Sequence, residues 1–122
     1  MLADPPQDDI APPLLEAKEA LRRVFGFENF RGVQEDVIAR VLAGQPSLAI
    51  MPTGAGKSLL YQLPATMLDG TVLVISPLIA LMHDQLRSAR ANGIRAATLT
   101  SADGDWRETQ DAFRAGELDL LY

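Results

Sequence analysis

The stretch MPTGAGKS, residues 51–58, places small residues just before a lysine and a serine. It follows an apolar run at residues 47–51 that predicts a buried strand, and it leads into a helical pattern over residues 56–68. Small side chains let several backbone N–H groups turn toward one anion, and the N-terminus of a helix adds partial positive charge. The stretch therefore has the position and the composition of a phosphate-binding loop.

Individual residues of this loop suit contact with the polyphosphate of a nucleotide. The Lys57 ammonium would bind the β- and γ-phosphates, and the Ser58 hydroxyl would be a ligand of Mg²⁺. Met51 stands where the general motif G-x-x-x-x-G-K-[ST] has its first glycine, which favours a helicase-type loop over a kinase or GTPase loop. Lys57 is the candidate catalytic residue, and the candidate nucleotide-binding residues of the loop are Thr53, Gly54, Ala55, Gly56, Lys57 and Ser58.

The rest of the sequence alternates strand-like apolar runs with helical patterns. Strands are predicted at residues 47–51, 71–75, 95–99 and 118–122, and helices at about residues 56–68, 78–91 and 105–115. Two more helices, at about residues 14–25 and 33–43, come before the first strand. Because short connections repeatedly join a strand to a helix, we expect an α/β fold with a parallel sheet and helices on both faces, preceded by the two N-terminal helices.

The composition excludes several classes of functional site. The 122 residues include no cysteine, which rules out a disulfide scaffold, a thiolate nucleophile, an iron–sulfur cluster and a cysteine-based zinc site. The apolar runs are far shorter than the about 20 residues that a membrane-spanning helix needs. We expect a soluble cytoplasmic protein without a membrane partner, nucleoid-associated in a bacterium. No particular protein partner is indicated.

The beginning of the chain differs in composition from the remainder. Residues 1–13 hold four of the eight prolines, and residues 1–16 hold four acidic and no basic side chains. Since the formal net charge of the chain is −5, residues 17–122 carry only −1. We expect residues 1–13 to form a disordered leader and the folded domain to begin at residue 14.

A second motif, FGFENFRGVQ at residues 25–34, precedes the loop. An aromatic ring and a guanidinium can stack on the two faces of adenine, while a carboxamide pairs with its N6 and N7 edge. The candidate groups are Phe27, Arg31 and Gln34. Taken alone, the motif also fits aromatic residues packed between helices, with Arg31 and Gln34 on a solvated face.

A third motif, SPLIALMHDQ at residues 76–85, follows the strand predicted at residues 71–75. Polar residues at the carboxyl end of a parallel strand lie where open α/β sheets bind their ligands. Taken alone, the same residues also fit an ordinary turn from a strand to a helix that is marked by a proline.

Together, the three motifs resemble the beginning of RecQ-type DNA helicases of superfamily 2, because their order and their spacing agree. The resemblance covers about residues 21–122. It implies a RecA-like fold of the P-loop NTPase type, ATP-driven unwinding of DNA in the 3′-to-5′ direction, and a role in recombination and repair. The ligands that it implies are ATP, Mg²⁺, and single-stranded and duplex DNA.

The resemblance also implies roles for single residues. Phe27 and Arg31 would enclose the adenine, and Gln34 would bind its edge. The residues expected to lie on the track of single-stranded DNA are Ser76, Pro77 and Leu78. Two positions depart from the family pattern, since Ala55 replaces a common loop glycine and His83 stands where lysine is frequent.

Several parts that the family uses are not found in these 122 residues. The sequence has no Asp-Glu-x-His box, and the second RecA-like lobe with its arginine finger, the zinc-binding region and the winged helix would all follow later. We expect residues 14–122 to be the N-terminal part of the first RecA-like domain and to be inactive alone. Two alternatives remain: another superfamily 2 motor such as an RNA helicase, and a short nucleotide-binding module without motor activity.

Overall fold

The computed structural model describes residues 12–52, 56–101, 103–104 and 106–122. The leader predicted for residues 1–13 therefore lies almost entirely outside the described residues. Helix α1, Pro12–Ala20, begins two residues before the predicted start of the first helix. Proline is favoured in the first turn of a helix because the missing N–H would have no partner there, so Pro12 and Pro13 fit this start.

Two N-terminal helical units precede the phosphate-binding loop, as expected. Helix α1 continues into a π-helical segment, Leu21–Phe25, which ends where Gly26 adopts a φ of +76°. Helix α2, Gln34–Leu42, carries acidic residues in its first turn and Arg40 in its last, which suits the helix dipole. The segment between these units, residues 26–33, contains no regular element.

Short strands and helices alternate after the loop. The elements in chain order are α3 (Leu59–Met67), β1 (Val72–Leu73), α4 (Ile79–Ala91), β2 (Ala96–Ala97), α5 (Trp106–Arg114) and β3 (Leu120–Leu121). Each strand has two paired residues, so the strands are shorter than the runs that predicted them. In the described residues no helix is long and apolar enough to cross a membrane.

The three strands form one parallel sheet in the order β1–β3–β2. Leu120 of β3 lies opposite both Val72 and Ala96, so the strand that is last in sequence occupies the centre of the sheet. Helices α3 and α4 cover one face of the sheet. Helix α5 lies by the other face, where Phe113 of α5 and Leu121 of β3 line an open groove. The predicted α/β class with a parallel sheet and helices on both faces is confirmed.

The buried side chains form two clusters that meet at Phe25. One joins the N-terminal helices to α3 through Ala17, Leu21, Ile38 and Leu63. The other packs α3 and α4 onto the sheet, and its buried members are Ala65, Met82, Ala89, Ile94, Ala96, Leu120 and Tyr122. Because Phe25 packs against both clusters, the N-terminal helices and the sheet are held in a fixed relation.

One predicted strand is wrong. Residues 47–51 are not part of the sheet, and Leu48 and Ile50 are 87% and 88% exposed. A strand is stable only when a neighbour accepts its backbone hydrogen bonds, and β1, β2 and β3 pair only with one another among the described residues. The apolar run has the composition of a buried strand, but it has no pairing partner among the described residues and is exposed.

Candidate nucleotide-binding site

An open cavity of about 300 Å³ lies between the segment before α2, the start of α3 and the end of α4. Five residues that the sequence predicts for nucleotide binding line it: Phe27, Arg31, Gln34, Gly56 and Ser58. The second motif and the phosphate-binding loop are thus brought together at one concave surface. Concave surfaces with a few convergent polar groups are where proteins bind small ligands.

Gln34 connects the second motif to the loop. Its side chain is buried, with 3% of the residue exposed. The Gln34 Oε1 atom accepts a hydrogen bond of 2.8 Å from the Arg31 backbone N–H, and Nε2 donates one of 3.2 Å to the Gly56 carbonyl oxygen. Gln34 therefore does not lie on a solvated face, which was the alternative for this residue.

Gly56 makes this contact possible. It has a φ of +79°, a conformation that residues with a side chain rarely adopt. A Cβ atom at this position would overlap Gln34 Nε2 and would lie 3.6 Å from the Arg31 guanidinium. Glycine is thus required here for its backbone conformation and for the space that the Gln34 carboxamide occupies.

Phe27 and Arg31 extend into solvent at the cavity wall. Phe27 is 57% exposed, although large aromatic side chains are generally buried, and Arg31 is also exposed. Both lie in the irregular segment that follows the π-helical turn, where the Phe27 N–H donates to the Leu21 carbonyl oxygen over 3.2 Å. π-helical turns are frequent at functional sites, and this one places an aromatic ring at the cavity.

The remaining loop residues begin helix α3. Ser58 is half-buried at the cavity, and it makes no side-chain capping hydrogen bond although it occupies the N-cap position of α3. Its hydroxyl is therefore available to a ligand such as a metal ion. Lys57 is exposed, and Thr53, Gly54 and Ala55 lie outside the described residues.

The predicted DNA-contact residues lie apart from this cavity, between β1 and α4. Ser76 Oγ accepts a hydrogen bond of 3.2 Å from the Leu78 backbone N–H, which closes the turn that starts α4. Pro77 and Leu78 are exposed, and neither lines the cavity. Because they follow β1, these residues are at the carboxyl end of the sheet, where the sequence places them.

A sequence profile of the family described as DEAD/DEAH box helicase matches residues 31–122. The chain belongs to this family. The matched region begins at Arg31 and contains Gln34, the phosphate-binding loop and the whole parallel sheet. Eight of the eleven residues that line the cavity belong to the helicase-family region.

Curated relatives with helicase names confirm the resemblance to RecQ-type helicases. The chain is 48% identical over 108 residues, 87% of its length, to a Haemophilus influenzae protein named ATP-dependent DNA helicase RecQ. It is 47% identical over 89 residues, 72% of its length, to a Bacillus subtilis protein named Probable ATP-dependent DNA helicase RecS. An Arabidopsis thaliana protein named ATP-dependent DNA helicase Q-like 2 is 44% identical over 99 residues, 80% of the chain. The chain spans 17%, 18% and 14% of the lengths of these three relatives.

The cavity of this helicase-family chain has further walls that sequence reasoning missed. The additional lining residues are Phe25, Asn29, Leu59, Gln62, Ser88 and Asn92. Gln62 could have been noticed, because it is the one amide side chain in the mostly apolar sequence LLYQLPATM of α3. Ser88 and Asn92 give no local signal, since only the packing of α4 brings the end of that helix to the cavity.

A pair of tyrosines lies in the core next to Gln62. The rings of Tyr61 and Tyr122 form an edge-to-face contact with centroids 5.9 Å apart. Burial is the main cause that raises the pKa of both hydroxyl groups above the ordinary value for tyrosine. Neither hydroxyl has a hydrogen-bond partner within the described residues. The pair joins α3 to the carboxyl end of β3.

Proposed function

We propose that the chain is the nucleotide-binding part of an ATP-dependent DNA helicase of RecQ type, which unwinds duplex DNA in the 3′-to-5′ direction in recombination and repair. The observation that carries the proposal is that Gln34 hydrogen-bonds to Arg31 and to Gly56 at the wall of one cavity. That contact sets the base-binding motif beside the loop that would hold the phosphates. We expect this protein to act in the cytoplasm, at the nucleoid in a bacterium.

The Gln34 carboxamide is prepared for the adenine edge. Its oxygen accepts one hydrogen bond and its nitrogen donates one within the protein, so each keeps the capacity for a second. The second acceptor site suits the adenine N6 amino group, and the second N–H suits N7. The internal contacts fix the orientation of the amide, which reduces the entropy lost on binding.

Phe27 and Arg31 supply the two planar groups for the faces of the base. Both are exposed at the cavity, so neither must leave a packed position to contact a ligand. Stacking on an aromatic ring contributes about 1–3 kcal/mol for each base in nucleic-acid-binding proteins. The guanidinium adds a cation–π contact on the opposite face.

The phosphates would lie at the loop and at the start of α3. Lys57 would bind the β- and γ-phosphates, with backbone N–H groups of residues 53–56 around them. The Ser58 hydroxyl, which makes no capping bond, fits a ligand of Mg²⁺. Bound Mg²⁺ would neutralise the charge that develops on the phosphates during hydrolysis.

The turn at Ser76, Pro77 and Leu78 would contact single-stranded DNA. Ser76 Oγ already accepts a hydrogen bond from the Leu78 N–H, so its own O–H remains free to donate to a phosphate oxygen. Contacts with phosphates position a nucleic acid without reading its sequence, which suits a motor that must move along any strand.

The proposal is tested by unwinding in the complete protein that contains this chain. Lys57→Ala removes the phosphate charge and should abolish unwinding of a DNA duplex with a 3′ single-stranded end. Lys18→Ala is the matched control, because Lys18 forms a surface ion pair with Glu35 at 3.2 Å and does not line the cavity. Retained unwinding by the Lys57 variant, or faster unwinding of RNA than of DNA by the unchanged protein, would contradict the proposal.

A further inference from the structure

The end of helix α4 supplies a wall of the cavity that the proposed contacts with ATP leave unused. Ser88 and Asn92 line the cavity there, and they are one helical turn apart on the same face of α4. The contacts proposed for ATP come from residues 27–58 alone. The polar wall on α4 is therefore without an assigned role.

The position of Asn92 is fixed by the way in which α4 ends. Gly93 follows it with a φ of +79°, and the Gly93 N–H donates to the Arg90 carbonyl oxygen over 3.0 Å. The Ile94 N–H donates to the Ala89 carbonyl oxygen over 3.1 Å, and both of these residues are buried in the cluster under the sheet. These are the two hydrogen bonds of a Schellman motif, with apolar residues where that motif favours them. The backbone of Asn92 is therefore held in place before a ligand binds.

The fold itself does not require an asparagine at this position. Asparagine is favoured at a helix end where the backbone is left-handed, but Asn92 has a φ of −87°, and Gly93 occupies the left-handed position. The Asn92 carboxamide has no hydrogen-bond partner among the described residues, and neither of its polar atoms is sealed from solvent. A half-buried donor and acceptor are thus open to a ligand in the cavity.

The ribose is the part of ATP for which the proposed contacts supply no partner. Gln34, Gly56 and Ser58 line the same cavity as Asn92, so a nucleotide that extends from the base-binding carboxamide to the loop places its sugar in this cavity. A ribose hydroxyl group can both donate and accept a hydrogen bond. A carboxamide suits two neighbouring hydroxyls, because its oxygen can accept from one while its nitrogen donates to the other.

We propose that Asn92 binds the ribose of ATP through hydrogen bonds from its carboxamide to the 2′- and 3′-hydroxyls. The inference rests on the proposed function, because it assumes ATP in this cavity. It adds a sugar-binding group on α4 to the base-binding and phosphate-binding groups that precede α4 in the chain. Asn92 would thereby favour ATP over its deoxy analogues.

The test is isothermal titration calorimetry on the full 122-residue chain with ATP, 2′-deoxy-ATP and 3′-deoxy-ATP. Each analogue lacks one of the two hydrogen bonds, so the unchanged chain should bind it about fivefold more weakly than ATP. Asn92→Leu keeps the approximate size of the side chain and removes its polar atoms. This variant should bind all three nucleotides with the same affinity. Asn92→Ala serves as a second variant in case Asn92→Leu does not fold.

Gln110→Leu is the matched control. This glutamine is half-buried on α5 and lines the separate groove on the other face of the sheet, so its replacement should leave the preference for ATP unchanged. Equal affinities of the unchanged chain for the three nucleotides would overturn the inference, as would a preference for ATP that persists in the folded Asn92 variants. If the unchanged chain binds none of the three nucleotides, the proposed function itself fails, which is a distinguishable result.

Discussion

The Gln34 side chain donates a hydrogen bond to the Gly56 carbonyl oxygen over 3.2 Å and across 22 positions of the sequence. The bond joins the first residue of α2 to the phosphate-binding loop, just before the start of α3. A side chain that binds the base and a backbone that approaches the phosphates are therefore held by one contact. The position of the Gln34 carboxamide, and so its contact with the base, should depend on this bond being intact.

Replacement of Gly56 tests that dependence. A residue with a side chain loses about 1–2 kcal/mol in a left-handed backbone conformation. Gly56→Ala should lower the free energy of unfolding by more than this amount, because the added Cβ also overlaps Gln34 Nε2. It should also weaken ATP binding. Urea denaturation and a nucleotide titration measure the two effects.

Gly44→Ala is the control for Gly56→Ala. Gly44 has a φ of +71°, but nothing lies within 4 Å of a Cβ added there. The control should lower the free energy of unfolding by about 1–2 kcal/mol through its backbone conformation alone, and it should bind ATP as the unchanged chain does. Equal effects of both substitutions on ATP binding would show that the contact with Gln34 is unimportant.

The ion pair of Arg95 and Asp119 should make stability depend on pH. The Arg95 guanidinium, which hydrogen-bonds to Asp119 at 2.8 Å, holds the pKa of that carboxyl below its ordinary value. A lowered folded-state pKa contributes stability above the unfolded-state pKa of about 4, and that stability is lost as pH falls through the folded-state value. The Asp119→Asn variant should therefore lose less stability than the unchanged chain when the pH falls from 6 to 2. The midpoint of urea denaturation measures this difference.

Asp84→Asn provides the comparison for this pH series. Asp84 pairs with Arg87 at 2.7 Å, but both side chains are more than two thirds exposed, and such pairs add little to stability. Its pH profile should match that of the unchanged chain. A profile of Asp119→Asn that also matches would refute the assigned role of the Arg95–Asp119 pair.

The chain alone should not hydrolyse ATP. Hydrolysis in this class of enzyme requires an acidic residue on a later strand, a group that orients the attacking water and an arginine finger. The sequence has no Asp-Glu-x-His box. Phosphate release in the presence of single-stranded DNA should equal that of a Lys57→Ala variant, and release above this control would contradict the expectation.

The sequence was sufficient for the parts of the site whose chemistry is local. The glycines, Lys57 and Ser58 of the loop form a motif because consecutive backbone groups must face one anion. Phe27, Arg31 and Gln34 lie within eight consecutive residues, and the structure gathers all three at the cavity. The parallel sheet was also predictable, because apolar runs and helical patterns alternate over the whole second half of the chain.

Other features depend on packing between distant segments and could not be predicted. Residues 47–51 have the composition of a strand, but pairing requires a neighbouring strand that composition does not reveal. Ser88 and Asn92 reach the cavity only because α4 packs in the same buried cluster as α3. The role of Ser76, Pro77 and Leu78 in DNA binding stays a prediction.

The most direct test of the central claim compares ATP and GTP binding by the unchanged chain and by Gln34→Ala. Gln45→Ala is the control, because Gln45 is exposed beyond the end of α2 and does not line the cavity. If Gln34 binds the adenine edge, its replacement should weaken ATP about tenfold, weaken GTP much less, and leave the control unchanged. Equal losses for ATP and GTP, or no loss for either, would contradict the account.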